Sequence, residues 1–317
     1  MTPGFVAHLR SFVGTPVAPA RVAIDDVTVP AVRRWVEAMG DTNLIYLDHD
    51  AAVASGRPGI VAPPAMLGVW TMDGYRAALA TAAHPTNAGR GVLAALADAG
   101  FTTTPATNCE QEYVRELRPG DRVSVETVVV DVSDEKQTAL GRAHFVTNRS
   151  TFRDASGAVV GHQRLRVVAF APGSARAVAR GGQAPSPTAP AGQRLPALDI
   201  PLDRTAIATC AAACNDYRAG HYDPDVARAI GLRDIFTDIP TSTGFTTRFV
   251  TDWSGPASRL RSIAVRLGVP LFAGETLHLT GSVAAVHTDG AVDVAVIGRT
   301  RDGCHLTARA TVELAPF

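Results

Sequence analysis

Two stretches of this 317-residue chain repeat one plan, and that repetition restricts the fold more than any other feature. In the first, Val32, Trp35, Val36 and Met39 recur at helical spacing, Pro30 suits a first-turn position, and Gly40 ends the run. Asp41 follows at once. In the second, Asp203 can cap a helix whose face holds Ile207, Cys210 and Cys214, and Asp216 comes directly after it. Each aspartate thus leaves the end of an equivalent short helix. Five residues on, the second copy has His221 where the first has Tyr46. A carboxylate and an imidazole that reach one water molecule are enough to add water to a double bond.

An irregular segment bearing Gly and Pro follows each aspartate, and then a second helix. In the second copy that helix is expected to begin near Ser242 or Thr243, and Phe245, Phe249 and Trp253 give it an aromatic stripe that should face the core. Beyond it the pattern alternates: Ile263, Val265 and Leu267, then Leu277, Leu279 and Val283, then Val292, Val294 and Val296, then Leu306 to Leu314. Thr288-Asp289-Gly290 and Arg301-Asp302-Gly303 supply turns. The first copy repeats this with Val123 and Val125, a strand around Phe145, and Leu165 and Val167. A long helix followed by antiparallel strands is an α+β plan in which a sheet wraps a helix. The stretch from Pro172 to about Pro196, rich in Ala, Gly, Pro, Ser and Arg, reads as a linker. The expected division is 1–171, a linker over 172–197, and 198–317.

Acidic and basic residues balance at 30 each, so no net field favours nucleic acid or anionic lipid. Met1 to Val17 has no signal-type apolar run and no later stretch could span a bilayer, which makes the cytoplasm the default compartment. The four cysteines form no C-x-x-C pair and read as small buried hydrophobes. Neither a metal-ligand cluster nor a dinucleotide fingerprint is present, so no cofactor is expected.

Asp216-x-x-x-x-His221-x-Asp223, a later helix opened by small residues, and the strand entry at Gly274-Glu275 together resemble the MaoC-like hydratases. The resemblance implies the hot-dog fold, here doubled, and hydration of 2-enoyl-CoA thioesters. The stretch from Asp234-Ile235-Phe236 through Arg248 to Pro256 is similar to the catalytic subunits of actinobacterial hydratases acting on steroid side-chain CoA esters. Those enzymes pair a catalytic hot dog with a degenerate one whose central helix is shortened, which implies a bulky acyl group. Two departures concern the substrate more than the reaction. Tyr217-Arg218-Ala219-Gly220 stands where the family has Asn and Pro, and Thr241-Ser242-Thr243-Gly244 replaces the usual His-Gly pair.

An Asp-x4-His spacing arises easily by accident; its weight comes from its place in a duplicated unit. Hydrating an α,β-unsaturated thioester needs a base to activate water and an acid to protonate the α-carbon. Asp216 is the candidate that exchanges protons with water and carbon and His221 the group that orients the water, with the proton assignment left open. The enolate oxygen needs hydrogen-bond donors, and Gly244 is either such a donor, by its backbone N–H, or a residue that allows tight helix packing. Asn215 and Thr243 are candidate substrate contacts, and Asp223 a turn residue. Asp41 and Tyr46 lack an imidazole and read as vestigial. Arg259, Arg261 and Arg266 could meet CoA phosphates but read better as a solvated face.

The expected function is hydration of a 2-enoyl-CoA, or the reverse dehydration, on an acyl-CoA or acyl-carrier thioester. The alternatives are a thioesterase or polyketide-type dehydratase or cyclase on the same fold, and a non-catalytic acyl-binding partner subunit. The chain should form an internal pseudo-dimer, and two chains can still associate as a homodimer.

Overall fold

The computed structural model describes residues 3–83, 91–138, 141–172, 174 and 192–315. Most of the expected linker, 173 and 175–191, lies outside the described residues. The first half runs α1 (Pro3–Arg10), β1 (Arg21–Val22), α2 (Val29–Met39), a 3-10 turn (Leu44–Tyr46), α3 (His49–Ala54), a second 3-10 turn (Pro64–Thr71), α4 (Gly74–Ala83) and α5 (Val92–Asp98). Its strands follow: β2 (Ala106–Tyr113), β3 (Ser124–Val132), β4 (Lys136–Thr138), β5 (Gly141–Arg153) and β6 (Val159–Phe170). The second half runs β7 (Leu198–Leu202), α6 (Arg204–Ala213), a 3-10 turn (Ala219–His221), α7 (Pro224–Ala229) and α8 (Ile239–Ser254). It ends with β8 (Arg259–Leu267), β9 (Glu275–Val286), β10 (Ala291–Thr300) and β11 (Gly303–Glu313).

The strands form one antiparallel sheet in the order β1-β3-β5-β6-β2-β8-β11-β10-β9-β7, with β4 added on β5. Reading outward from the β2–β8 joint, the two halves have the same order, so a pseudo-two-fold axis passes between them. At the joint Cys109 pairs with Val265 and Gln111 with Ile263. The architecture is the double hot dog of the α+β class, with the two expected sheets joined edge to edge. Joining leaves neither half with an open central edge.

α8 is the helix the second sheet wraps. It begins at Ile239, earlier than the aromatic spacing suggested, because Asp238 caps it by accepting from the Thr241 N–H and Pro240 fits the first turn. Phe245 and Phe249 are buried as expected, while Trp253 is only partly so. The helix also buries a set of hydroxyls, satisfied by bonding back to its own carbonyls: Thr243 to Ile239, Thr246 to Ser242, Thr251 to Thr247. In the first half the corresponding place holds only the 64–71 turn. Met72 leaves it in an extended conformation and Gly74 follows at φ +75°. One apolar cluster contains Trp35, Met39 and Met66 of the first half and Phe245, Phe249 and Leu277 of the second. Arg57 straps the halves together. Its buried guanidinium holds Glu116 at 2.6 Å and donates to the carbonyl of Ser258 at 2.7 Å.

Candidate active site

α6 ends at a residue that must turn into left-handed backbone, and Asn215 does so at φ +55°. Asn tolerates this conformation better than most residues. Gly40 does the same after α2, at φ +61°. The next N–H then reaches back into the last helical turn, Asp216 to Ala211 at 2.9 Å and Asp41 to Val36 at 2.8 Å. Each aspartate accepts from the N–H two residues on, that of Arg218 and that of Asn43. Each is followed by a 3-10 turn that buries its last residue, His221 or Tyr46, and then by an aspartate capping a short helix, Asp223 or Asp48. The two loops are copies, and they differ where one has His221 and the other Tyr46.

Asp216 and His221 are both buried. His221 Nδ1 lies 2.8 Å from the carbonyl of Phe236, whose ring packs against the imidazole at a centroid distance of 4.7 Å. A carbonyl oxygen can only accept, so Nδ1 carries a proton, and in the neutral imidazole Nε2 then presents its lone pair. That lone pair lies 3.9 Å from Asp216 Oδ2. The separation is too long for a direct hydrogen bond and suits a water between the two.

Arg218 forks both Asp216 oxygens, Nε to Oδ1 at 2.9 Å and Nη2 to Oδ2. Burial by itself would raise the Asp216 carboxyl; the bonds and charge of Arg218 outweigh it, and the group sits below the ordinary carboxylate range. The Arg218 side chain remains 63% exposed, so it is both clamp and rim.

A second carboxyl lies in the same place. Asp238, the buried cap of α8, faces His221 and Asp216 electrostatically. Its Oδ1 accepts from the Thr241 N–H at 2.7 Å, and its Oδ2 is buried with no hydrogen-bond partner among the described residues. Burial, then the Asp216 charge, pushes this carboxyl upward against the pull of His221.

Among the candidate site residues the structure brings Asp216 and His221 together, while Gly244 and Thr243 lie within α8. Gly244 lies in the second turn of α8, where its N–H belongs to the helical ladder rather than to the free groups of the first turn. A Cβ there would meet Trp35 Cζ2 at 2.8 Å and Met39 Sδ at 2.9 Å, so close helix packing by itself accounts for a glycine here. Thr243 is buried, bonds back to Ile239 and touches the Cys109 thiol. Asn215 is exposed and lines a cleft of about 370 Å³ with Ala38, Met66, Trp70, Ala213 and Tyr217. This cleft lies between α2, the 64–71 turn and α6, and includes the residues on either side of Asp216. Tyr75 of α4 packs edge-on against Tyr217 from above, at 5.6 Å.

The Asp41 loop is covered instead. Arg248 of α8 donates to the Met39 carbonyl at 2.8 Å and lies against Gly40. Burial chiefly, with help from Asp252, raises the Asp41 carboxyl from 3.8 to about 6. Arg259 and Arg261 are held by carboxylates, Glu116 and then Asp289 with Glu313, as expected of a solvated face. Among the described residues no three His, Cys, Asp or Glu side chains converge as a metal-ligand set, and no helix is long and apolar enough to cross a membrane. Sequence reasoning missed Asp238, Arg218 and the Phe236 carbonyl. The first was readable as Asp-Ile-Pro, a cap followed by a first-turn proline; the carbonyl has no sequence signal.

Residues 11–163 match the family described as FAS1-like, dehydratase domain region. A probable enoyl-CoA hydratase alpha subunit of Thermomonospora curvata is 39% identical over 244 residues, 73% of this chain and 76% of that protein. Two subunits of a 3-oxo-4,17-pregnadiene-20-carboxyl-CoA hydratase of Mycobacterium tuberculosis are also similar. The alpha subunit is 42% identical over 153 residues, 48% of this chain and 47% of its own length. The beta subunit is 46% identical over 124 residues, 39% of this chain and 94% of its own length. Among solved structures, a MaoC-like dehydratase superposes with a TM-score of 0.72 at 19% identity, covering 97% of this chain and all of that one.

Proposed function

Because the chain belongs to the MaoC-like enoyl-CoA hydratase/dehydratase family and is a hydro-lyase, we propose that it adds water across the double bond of a bulky 2-enoyl-CoA at one site, Asp216 and His221. The observation that carries this reading is the buried pair itself, 3.9 Å apart with the imidazole tautomer fixed. A water between Nε2 and Oδ2 gives a proton to Nε2 as its oxygen attacks the β-carbon. Asp216, kept ionised by Arg218, orients that water and stabilises the imidazolium that forms.

One site per chain follows from the pairing of halves. We propose that 1–171 is a degenerate hot dog and 198–317 the catalytic one, with the first shaping the acyl pocket. The full-length α8 covers the relic loop with Arg248, whereas the short 64–71 turn leaves the 370 Å³ cleft beside Asp216. A long helix in its place would fill that volume, so the truncation favours a wide, rigid acyl group such as a polycyclic one. Likeness to both the alpha and the beta subunit of one hydratase supports the view that a single chain here unites two subunits. The test is a comparison of short linear, long linear and steroid-side-chain enoyl-CoA substrates, followed by loss of enoyl absorbance. A kcat/KM at least about tenfold higher for the polycyclic substrate, roughly 1.4 kcal/mol of selectivity, is expected. Equal or better turnover of a short linear chain contradicts the bulky-substrate assignment.

A further inference from the structure

The hydrogen bond that orients His221 comes from the Phe236 carbonyl, and Phe236 lies in no helix and in no strand longer than a single bridge. Something else has to fix that carbonyl in place. We propose that Glu275 is a positioning residue for the reaction: with Arg233 it holds the Phe236 carbonyl where His221 Nδ1–H reaches it, a role that rests on the Asp216–His221 reading.

Segment 235–237 runs antiparallel to 271–273, with Phe236 opposite Phe272. The Thr237 N–H donates to the Leu271 carbonyl at 3.0 Å, and the Ala273 N–H to the Ile235 carbonyl at 3.1 Å. With these bonds on the flanking residues, the polar groups of the central pair point outward, away from each other. The Phe236 carbonyl therefore faces His221 Nδ1, at 2.8 Å. On the opposite side the Phe272 N–H donates to Glu275 Oε2 at 3.0 Å.

Glu275 opens β9, and its side chain is wholly buried. Its Oε1 accepts from Arg233 Nη2 at 2.5 Å and from Arg301 Nε at 3.1 Å. Arg233 stands three residues before Phe236; its guanidinium covers the Phe272 ring at 4.3 Å and pairs with Asp302 at 2.8 Å. One carboxylate thus ties both sides of the bridge. A buried carboxylate is tolerated only when paired and hydrogen-bonded, so it fixes its partners as they fix it.

The first half has part of this arrangement. Asp121 accepts from the Arg118 N–H three residues back and pairs with an arginine that also holds a turn aspartate, Asp154. That arginine is Arg115, which follows β2 instead of leading into the segment after the Tyr46 loop. The closed form of the network occurs in the half that has the imidazole. If the Phe236 carbonyl drifts by about 1 Å, its bond to His221 is lost and either ring nitrogen can carry the proton.

Glu275→Ala removes the carboxylate, and Arg233→Met, milder for folding, removes its partner while still covering Phe272. In both, kcat for an enoyl-CoA should fall about 10- to 100-fold with KM changed by no more than about threefold, the signature of misplacement by about 1 Å. Nitrogen-15 NMR of the neutral His221 ring, identified by its absence in His221→Ala, should show a proton fixed on Nδ1 in the parent chain and averaged nitrogens in both variants. Glu275→Asp should restore most of kcat, since Asp121 shows that an aspartate here reaches the N–H three residues back. Asp121→Asn should leave both kcat and the His221 signals unchanged. A folded Glu275→Ala or Arg233→Met chain with parental kcat or unchanged His221 nitrogens overturns the proposal, as does an equal loss of kcat in Asp121→Asn. If His221→Ala keeps parental turnover, the catalytic pair is wrong, and the nitrogen signals still decide whether Glu275 fixes the imidazole.

Discussion

Gly244→Ala separates two roles that the sequence left equal, and their magnitudes differ enough to decide. In the interior of α8, alanine is favoured over glycine by about 1 kcal/mol. Against this, the new methyl would sit 2.8 Å from Trp35 Cζ2 and 2.9 Å from Met39 Sδ, inside van der Waals contact. Overpacking of a core costs about 1 to 3 kcal/mol, so the net change should be a loss between about zero and 2 kcal/mol. Met39 is flexible and can yield, whereas Trp35 is locked in the core, which places the expectation toward the upper end. Urea denaturation measures this as a lowered midpoint at constant m-value. Turnover of an enoyl-CoA by the folded variant should stay within about threefold, because nothing at Asp216 or His221 has moved. Removing an oxyanion donor typically costs about two to three orders of magnitude in kcat. A hundredfold loss of kcat with an unchanged midpoint would therefore refute the packing role.

Two further outcomes follow from the electrostatics. Asp41 is buried and its carboxyl is raised from 3.8 to about 6, so its ionisation is costly to the fold; this stabilising deficit is absent below 3.8 and grows as pH rises through 6. Asp41→Asn, which keeps the acceptor for the Asn43 N–H, should gain up to roughly 3 kcal/mol of stability at pH 8 and almost none at pH 4, with turnover unchanged, as denaturation at both pH values would show. Asp216 has the opposite sign: Arg218 holds it below 3.8 despite burial, so it contributes stability above that value that is lost as pH falls through its folded pKa. Arg218→Ala leaves burial unopposed, and the acid limb of kcat/KM should move to higher pH; a limb that stays in place would remove Asp216 from the rate.

The repeat was legible because a helix stop followed at once by aspartate occurs twice, and the alternating runs marked β3, β5, β6 and β8 to β11, though not β1, β2, β4 or β7. Sequence alone could not show that the sheets fuse, since the β2–β8 pairing is a contact between residues far apart in the chain. The start of α8 was misjudged because its aromatic stripe begins a turn after its cap. Asp238 was passed over for the same reason: a capping aspartate and a buried acid are the same letter until the neighbours are seen. Gly244 and Thr243 stayed ambiguous because, in a helix buried on most sides, small residues mark close packing as readily as a ligand. Asp216 and His221, by contrast, sit on a loop whose copy exists in the same chain, and the copy with Tyr46 shows what the loop looks like without the imidazole.

The central claim is that a single buried pair in the second half performs the hydration. Steady-state hydration of an enoyl-CoA by Asp216→Asn and His221→Ala, each checked for intact folding, tests it most directly. The account predicts that kcat/KM falls by at least about two orders of magnitude in each variant. Near-wild-type turnover in either would contradict it.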